Sequence, residues 1–308
     1  MMNILVTGGA GNVGSALVDR LMSEGDYRVV VLDNFLTGSP SKLPPQSEQL
    51  TIIRGDVNIN TTVREVMHSM HFDYVFHYAA VVGVERTLKN PIMVLNDIEG
   101  FRNILDMSRA TGVKRVFFSS SSEVYGEPVE FPQNEHTTPL NSRLPYAIVK
   151  NVGEAFLRSY QKEYGLDYTI LRFFNTYGPR QSEDFVISRF IRQAVEGKDI
   201  TIYGDGRQSR TFCYIDDNID TTIQCLRKNL LVNDVMNVGS SDEITILDLA
   251  KLVIGVTKSS SKIQFLPPLK EGDMTRRKPD NSKMLSILNR PLISLEEGIK
   301  RTLQFRKS

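Results

Sequence analysis

Short apolar runs alternate with amphipathic stretches through the first half of the chain. Residues 3–7, 28–33, 50–54, 74–77, 116–120 and 168–173 are rich in Val, Ile, Leu and aromatics and read as buried strands. Between them the apolar positions switch to helical spacing. Val13, Ala16, Leu17 and Leu21 recur over 13–23, and similar patterns fill 60–70, 91–111 and 146–164. Strands separated by helices imply crossover connections, so the pattern predicts an α/β fold with a Rossmann-type, doubly wound, mostly parallel sheet covered on both faces. After Phe173 the rhythm changes. Gly178-Pro179 marks a turn within the loop 175–182, and shorter elements follow at 185–196, 200–203, 218–227, 246–252 and 295–304. Segments 40–49 and 257–262 read as loops. The expected organisation is a nucleotide-binding domain over 1–172, with 211–239 returning to it, and a smaller C-terminal α/β substrate lobe made mainly from 173–308. Such a lobe closes over the carboxyl ends of the strands, where open α/β sheets bind ligands.

Composition and charge narrow the picture. The 308 residues are 41% hydrophobic and 24% charged, with a net charge of +1, which gives no overall field for nucleic acid or a membrane surface. The basic run Arg276-Arg277-Lys278 is too short for a nucleic-acid stripe, though it suffices for one phosphate group. No apolar run reaches the roughly 20 residues a bilayer demands. The N-terminal residues 3–7 read as a strand, not a signal peptide. Cys213 and Cys225 have no metal-type spacing and read as reduced structural thiols, which fits a cytoplasmic protein. No metal site is expected from the four scattered histidines.

The first candidate chemistry is Gly8-Gly9-Ala10-Gly11-Asn12-Val13-Gly14. It follows a strand, opens a helix, and precedes a second strand ending in an acid. Gly9, Gly11 and Gly14 fit the G-x-G-x-x-G spacing, and Gly8, Gly11 and Gly14 fit G-x-x-G-x-x-G. In either register, glycine supplies the turn and lets a pyrophosphate approach the helix N-terminus. Asp33 lies 19 residues past Gly14, near the spacing of an acid that binds the adenosine ribose. No arginine follows closely to neutralise a 2′-phosphate, so the expected cofactor is NAD.

The second is Tyr146-Ala147-Ile148-Val149-Lys150, a phenol and an amine four apart on one helix face. Upstream, the strand at 116–120 runs into Ser121-Ser122-Glu123-Val124-Tyr125-Gly126, whose hydroxyls would enter the same crevice. Removing a proton from a sugar alcohol needs a base on its oxygen. Lowering a tyrosine from about 10 to about 7 needs roughly 4 kcal/mol of phenolate stabilisation. The Lys150 ammonium and a positive nicotinamide ring can supply it. Ser121 would hold the same substrate oxygen.

With Gly55-Asp56-Val57, His77-Tyr78-Ala79-Ala80, 172–180 (RFFNTYGPR) and Tyr203-Gly204-Asp205-Gly206 through Arg210 to Asp217, these motifs make the chain resemble the extended short-chain dehydrogenase/reductase family of nucleotide-sugar epimerases and dehydratases. The resemblance spans nearly the whole chain. It implies adenine contacts at Asp56 and Val57, and a cofactor wall at Ala79 and Ala80. It also places Asn12, Val13, Asn34, Ser119 and Phe173 at the cofactor. Phe174 and Asn175 would link cofactor to substrate, with Arg180, Tyr203, Arg210 and Arg277 at the substrate. Arg210 and Arg277 would clamp a nucleoside diphosphate, a role suited to the guanidinium fork. In this family NAD oxidises C4 of a nucleotide-activated sugar; a UDP-linked sugar is the expected substrate, and the expected assembly is a homodimer.

Three fates of the 4-keto sugar are open. Residues 82–86 (VGVER) resemble the 4-epimerases, the first-ranked reading. Ser121-Ser122-Glu123 and Arg277-Lys278-Pro279-Asp280 resemble UDP-glucuronate decarboxylases, although their proline-rich segment is absent. The Ser121/Glu123 pair also resembles GDP-mannose 4,6-dehydratases. A different class, a protein that binds NAD or a sugar nucleotide without turnover, sits poorly with an intact Ser121, Tyr146 and Lys150.

Overall fold

A computed structural model of the chain describes residues 1–268 and 276–307, with the backbone alone for Val84, Glu85 and Lys307. Its first half runs β1 (Met2–Thr7), α1 (Asn12–Glu24), β2 (Tyr27–Asp33), β3 (Leu50–Arg54), α2 (Asn60–Ser69), β4 (Tyr74–His77), α3 (Val84–Lys89), α4 (Pro91–Leu95), α5 (Asp97–Thr111), β5 (Arg115–Ser121), α6 (Pro145–Tyr164) and β6 (Asp167–Phe173). The second half runs β7 (Thr176–Tyr177), α7 (Val186–Val195), β8 (Ile200–Tyr203), β9 (Ser209–Thr211), β10 (Cys213–Tyr214), α8 (Ile215–Arg227), β11 (Asp234–Val238), β12 (Glu243–Thr245), α9 (Ile246–Thr257), β13 (Ile263–Leu266), α10 (Ser282–Leu288) and α11 (Leu295–Lys307).

The central sheet has seven parallel strands in the order β11-β6-β5-β4-β1-β2-β3. Strand alternation explains why both faces are covered. Ile4, Val6, Val29, Val31, Phe76 and Phe117 point one way, into a core shared with α1 and α8. Leu5, Val30, Leu32, Val75, Val116 and Phe118 point the other way, into a core with α2, α5 and α6. Each such side chain contributes about 1.5–3 kcal/mol when buried. The strand order reverses between β1 and β4, and the crevice at that switch point is the one a dinucleotide uses. β11 comes from beyond the central loops and adds to the free edge of β6.

Two elements depart from the pattern read along the chain. The single helix expected over 91–111 is divided at Asn96 into α4 and α5, and at the seam Asp97 accepts a 2.7 Å hydrogen bond from Val81 N. Helix α3 was not expected. At six residues it is too short to form from local propensity, and Arg86 holds its start by donating to Val82 O.

A buried polar network joins the sheet to the C-terminal segment. Arg172 on β6 donates through Nε and Nη2 to both carboxylate oxygens of Glu154 on α6, at 2.8 and 2.7 Å. Its Nη1 reaches Tyr125 Oη and Glu135 O, and Tyr125 in turn donates to Asn237 Oδ1 on β11. Asn237 Nδ2 donates to Gln133 O and Asp280 O. Residues 133 and 278–280 then pair backbone to backbone, through Gln133 N to Lys278 O and Asp280 N to Gln133 O. Bidentate, charge-assisted bonds of this kind are strong only when fully satisfied, as they are at Glu154 and Arg172.

Candidate active site

The site begins at the glycine turn between β1 and α1. Gly8 has φ +69°, and a Cβ there would lie 2.5 Å from Ala79 N. A Cβ on Gly14 would stand 2.2 Å from Gly8 O. The turn therefore passes against the end of β4, and α1 starts directly upon it, only because both positions lack a side chain. Gly11 caps α1 with no side-chain hydrogen bond, so nothing from its own cap competes for the first helical N–H groups. Asp33 closes β2. Its Oδ2 accepts from Ala10 N at 2.9 Å and its Oδ1 from Phe35 N at 2.8 Å, which fixes the carboxylate beside the turn with lone pairs still to offer. Asn34 Nδ2 donates to Asp56 Oδ2, joining the ends of β2 and β3.

One continuous cleft of about 700 Å³ runs from this turn to the C-terminal segment. Every residue assigned above to the cofactor lines it, as do Ser121, Glu123, Asn175 and Arg277. Its size is that of a small-molecule or cofactor site. The bare turn, the fixed Asp33 carboxylate and a cleft leading on to Lys150 fit NAD, with Gly8, Gly11 and Gly14 at the pyrophosphate and Asp33 at the ribose. When bound there, the cofactor supplies the oxidising and then reducing equivalent.

The reacting end lies where β5 and α6 meet. Lys150 is almost wholly buried, and its Nζ donates to Ser119 O at 2.7 Å. The ammonium sits 4.8 Å from the Phe118 ring and 5.6 Å from the Tyr146 ring. Burial lowers its pKa to about 8, against the opposing field of Asp97. Tyr146 is pushed the other way. Burial and the Glu123 carboxylate hold its phenol above its usual range, while the Ser121 hydroxyl and Arg277 pull down. The chain alone therefore keeps Tyr146 protonated, and a positive ring beside it is what a working base needs. Ser121 Oγ accepts from Glu123 N at 3.1 Å, starting a 3₁₀ turn at Ser122–Tyr125 that aims Glu123 inward.

Arg277 belongs to this end of the cleft. It is 5% exposed, it lies 2.8 Å from Glu123 Oε1, and its Nη1 approaches Ser122 Oγ at 3.4 Å. It thus faces the reacting centre, whereas the resemblance had implied a diphosphate clamp. The basic run is neutralised in place, since Arg276 and Lys278 both pair with Glu243. Asn175 lines the cleft at φ +39° and donates to Thr211 O.

Four expected residues stand elsewhere. Phe174 is fully buried against Val124 and Tyr125, because the chain reverses side after Phe173. Arg180 pairs with Asp19 at 2.6 Å and lines a second hollow of about 300 Å³ beside α1. Tyr203, at the end of β8, lies under the Arg189 guanidinium. Arg210 donates to Ser209 O on β9. None of the four lines the main cleft. Conversely, Asp97, Asn96 and Asn58 line it without having been singled out. The signal for Asp97 was present: it falls in helical register with Phe101, Ile104 and Leu105, a charge on the apolar face of α5.

A doubly wound sheet, a glycine turn with its acid, and a Tyr-Lys pair beside a serine define a dinucleotide-dependent enzyme of the short-chain dehydrogenase/reductase type. The model of the NAD dependent epimerase/dehydratase family matches residues 4–239, and the chain belongs to that family. It is 35% identical over 312 residues to UDP-glucuronic acid decarboxylase 1 of Danio rerio, covering 98% of this chain and 72% of that one. Its fold matches a UDP-glucose 4-epimerase of Thermotoga maritima solved with UDP-glucose, with a TM-score of 0.93, 34% identity and 99% of each chain covered. It likewise matches a UDP-glucuronic acid 4-epimerase of Bacillus cereus in complex with UDP-glucuronic acid and NAD, with a TM-score of 0.89, 31% identity and 99% of each chain covered. The family's cofactor is NAD. No described helix is long and apolar enough to cross a membrane.

Proposed function

We propose that this enzyme oxidises C4 of a UDP-linked hexuronic acid and that the resulting 4-keto acid loses carbon dioxide. The observation that carries the reading is the buried Arg277–Glu123 pair beside Tyr146. A buried charge pair is expensive to desolvate, and a neutral sugar C6 hydroxyl gives it nothing to do. A C6 carboxylate does, because the guanidinium can take it in a bidentate grip. In this account Tyr146, with Lys150 and Ser121, accepts the proton from the C4 hydroxyl. The C4 ketone makes the C6 carboxylate a β-keto acid. The C5–C6 bond then breaks, its electrons form the C4–C5 enolate, carbon dioxide leaves, a proton drawn from solvent adds to C5, and Tyr146 gives its proton back to the C4 oxygen when C4 is reduced again. Tyr146, now a phenol, donates a hydrogen bond to the enolate oxygen.

A second reading, 4-epimerisation, has its own support in the apolar Leu144, Phe185, Val186 and Phe212 lining the cleft. Such walls grip a sugar ring weakly and let a 4-keto sugar turn over. The remaining readings travel with this one. The glycine-turn half, 1–172 with 211–239, holds the cofactor, and the rest of 173–308 holds the substrate. A homodimer through α4, α5 and α6 would cover the exposed Ile92, Met93 and Ile148, and the compartment would be the cytoplasm. Product analysis by NMR with UDP-glucuronate, UDP-glucose and UDP-GlcNAc tests the chemistry. Carbon dioxide and a UDP-pentose from UDP-glucuronate are expected. A 4-epimer without carbon dioxide would give the field to the second reading, and no product from any sugar nucleotide would point to a binding protein.

A further inference from the structure

We infer that Gly298 is a positioning residue for substrate binding: it seats helix α11 directly on the Tyr177 ring, and Tyr177 in turn backs the cleft wall at Phe212. The inference rests on the reading that the substrate lies along this C-terminal wall. None of the described residues of α11 lines the cleft. Its influence runs through β7 and β10, which pair in parallel with Tyr177 opposite Tyr214. The Tyr177 ring meets Phe212 edge-to-face, with 6.3 Å between centroids, and Tyr214 in the same manner at 5.4 Å. Phe212 lines the cleft together with Leu144, Phe185 and Val186. At the other end of this column Tyr177 Oη donates to Leu295 O at 3.3 Å, on the first residue of α11. Gly298 follows one turn later. A Cβ there would overlap Tyr177 Oη and lie 2.8 Å from both Tyr177 Cζ and Tyr214 Cδ2.

A side chain at 298 must therefore displace either the helix or the rings. The helix is held. Ile299 and Thr302 are fully buried on its inner face, and Thr302 bonds back to Gly298 O. The segment leading into α11 is tied to α8 by Arg290, 2.6 Å from both Asp217 and Asp220, and by Ile293 N, which donates to Asp217 Oδ2 at 2.9 Å. Lifting α11 would expose Ile299 and break these charge-assisted bonds. Tyr177 and Tyr214 are almost wholly buried in close packing, and the room on their far side is the cleft behind Phe212. Bulk at 298 is passed along Tyr177 to Phe212 and narrows the cleft on its substrate side. The cofactor end stands on β1, α1 and β2 and is not part of this column.

The test compares wild type, Gly298→Ala, Tyr177→Phe and the double variant, each loaded with NAD, with UDP-glucuronate and UDP-glucose as substrates. In Gly298→Ala the KM for the sugar nucleotide should rise about tenfold, while NAD affinity, read by fluorescence titration, stays within about twofold of wild type. Tyr177→Phe removes the atom that the new Cβ strikes first, so the double variant should recover most of the lost KM. A wild-type KM in Gly298→Ala, even with a lower Tm, would make the glycine purely a packing residue and overturn the inference. A raised KM that the double variant does not recover would overturn it as well. Should Gly298→Ala alone fail to fold, the double variant is read against Tyr177→Phe. Its KM should then stay about two- to threefold higher, because two ring edges still crowd the Cβ, and equal values would count against the inference. Phe212→Ala tests the underlying reading separately: an unchanged KM there would mean that the substrate does not touch this wall.

Discussion

The two ends of the cleft are built in different ways. The cofactor end and the Tyr146–Lys150 pair stand on regular elements that follow each other in the chain, so their geometry is set by sheet register and helix spacing. Lys150 is locked onto Ser119 O, and α1 abuts the turn at Gly14. The Glu123–Arg277 end joins residues 154 positions apart, one on a 3₁₀ turn and the other on a segment without regular structure. It is held by a network that reaches it through Arg172, Tyr125, Asn237 and Gln133. The contrast suggests a division of labour. A rigid, locally encoded half performs an oxidation that many substrates share, and a half assembled over long range decides what the oxidised sugar becomes.

The sharpest way to break that division is to remove the base. Tyr146→Phe should cut turnover by about 10²–10⁴-fold while NAD affinity, measured by fluorescence titration, stays near wild type. Turnover within a few-fold of wild type would sink the assignment. Next in size is the strut between the two ends. Arg172→Met leaves the buried Glu154 with Arg158 as its remaining ion-pair partner and Ser120 Oγ as a hydrogen-bond donor, and should destabilise the fold by about 3–5 kcal/mol in urea denaturation. A loss below 1 kcal/mol would mean the network does not couple the halves.

Smaller effects sharpen the comparison. Glu123→Ala frees Arg277 and removes a charged hydrogen-bond partner worth about 1.5–3 kcal/mol. Carbon dioxide release from UDP-glucuronate should fall by about one to two orders of magnitude, and C4 oxidation should survive. An epimerase would barely notice the change, so an unaltered rate of 4-epimer formation, with no carbon dioxide from either enzyme, would favour that chemistry. The smallest effect belongs to Arg86–Asp184, an exposed 3.7 Å pair from α3 to the loop before α7. Asp184→Asn should shift stability by less than about 1 kcal/mol, and a larger shift in Tm would show that the mouth of the cleft is braced from outside.

The same contrast explains what was legible along the chain. Strands β3, β4 and β8 fall where their apolar runs lie, and Gly8, Gly11, Gly14, Asp33, Tyr146 and Lys150 all reach one cleft because local periodicity fixes them. The carboxyl ends of β2 and β6 follow in the same way. What periodicity could not carry is which side of a loop faces the ligand. Phe173 ends a strand and faces the cleft, whereas Phe174, one residue later, packs under Tyr125. Arg180 and Arg277 are alike on paper, yet Asp19 captures the first and Glu123 the second. The seam at Asn96 was hidden because 91–111 keeps a helical pattern across it.

The most direct test of the division mixes the NAD-loaded enzyme rapidly with UDP-glucuronate and follows the absorbance of reduced cofactor together with carbon dioxide release. In Arg277→Gln the absorbance should rise and persist with little carbon dioxide released, because oxidation at C4 is intact and the carboxylate is no longer held. In Tyr146→Phe neither signal should appear. Reduction of the cofactor by Tyr146→Phe, or carbon dioxide release at the wild-type rate by Arg277→Gln, would contradict the account.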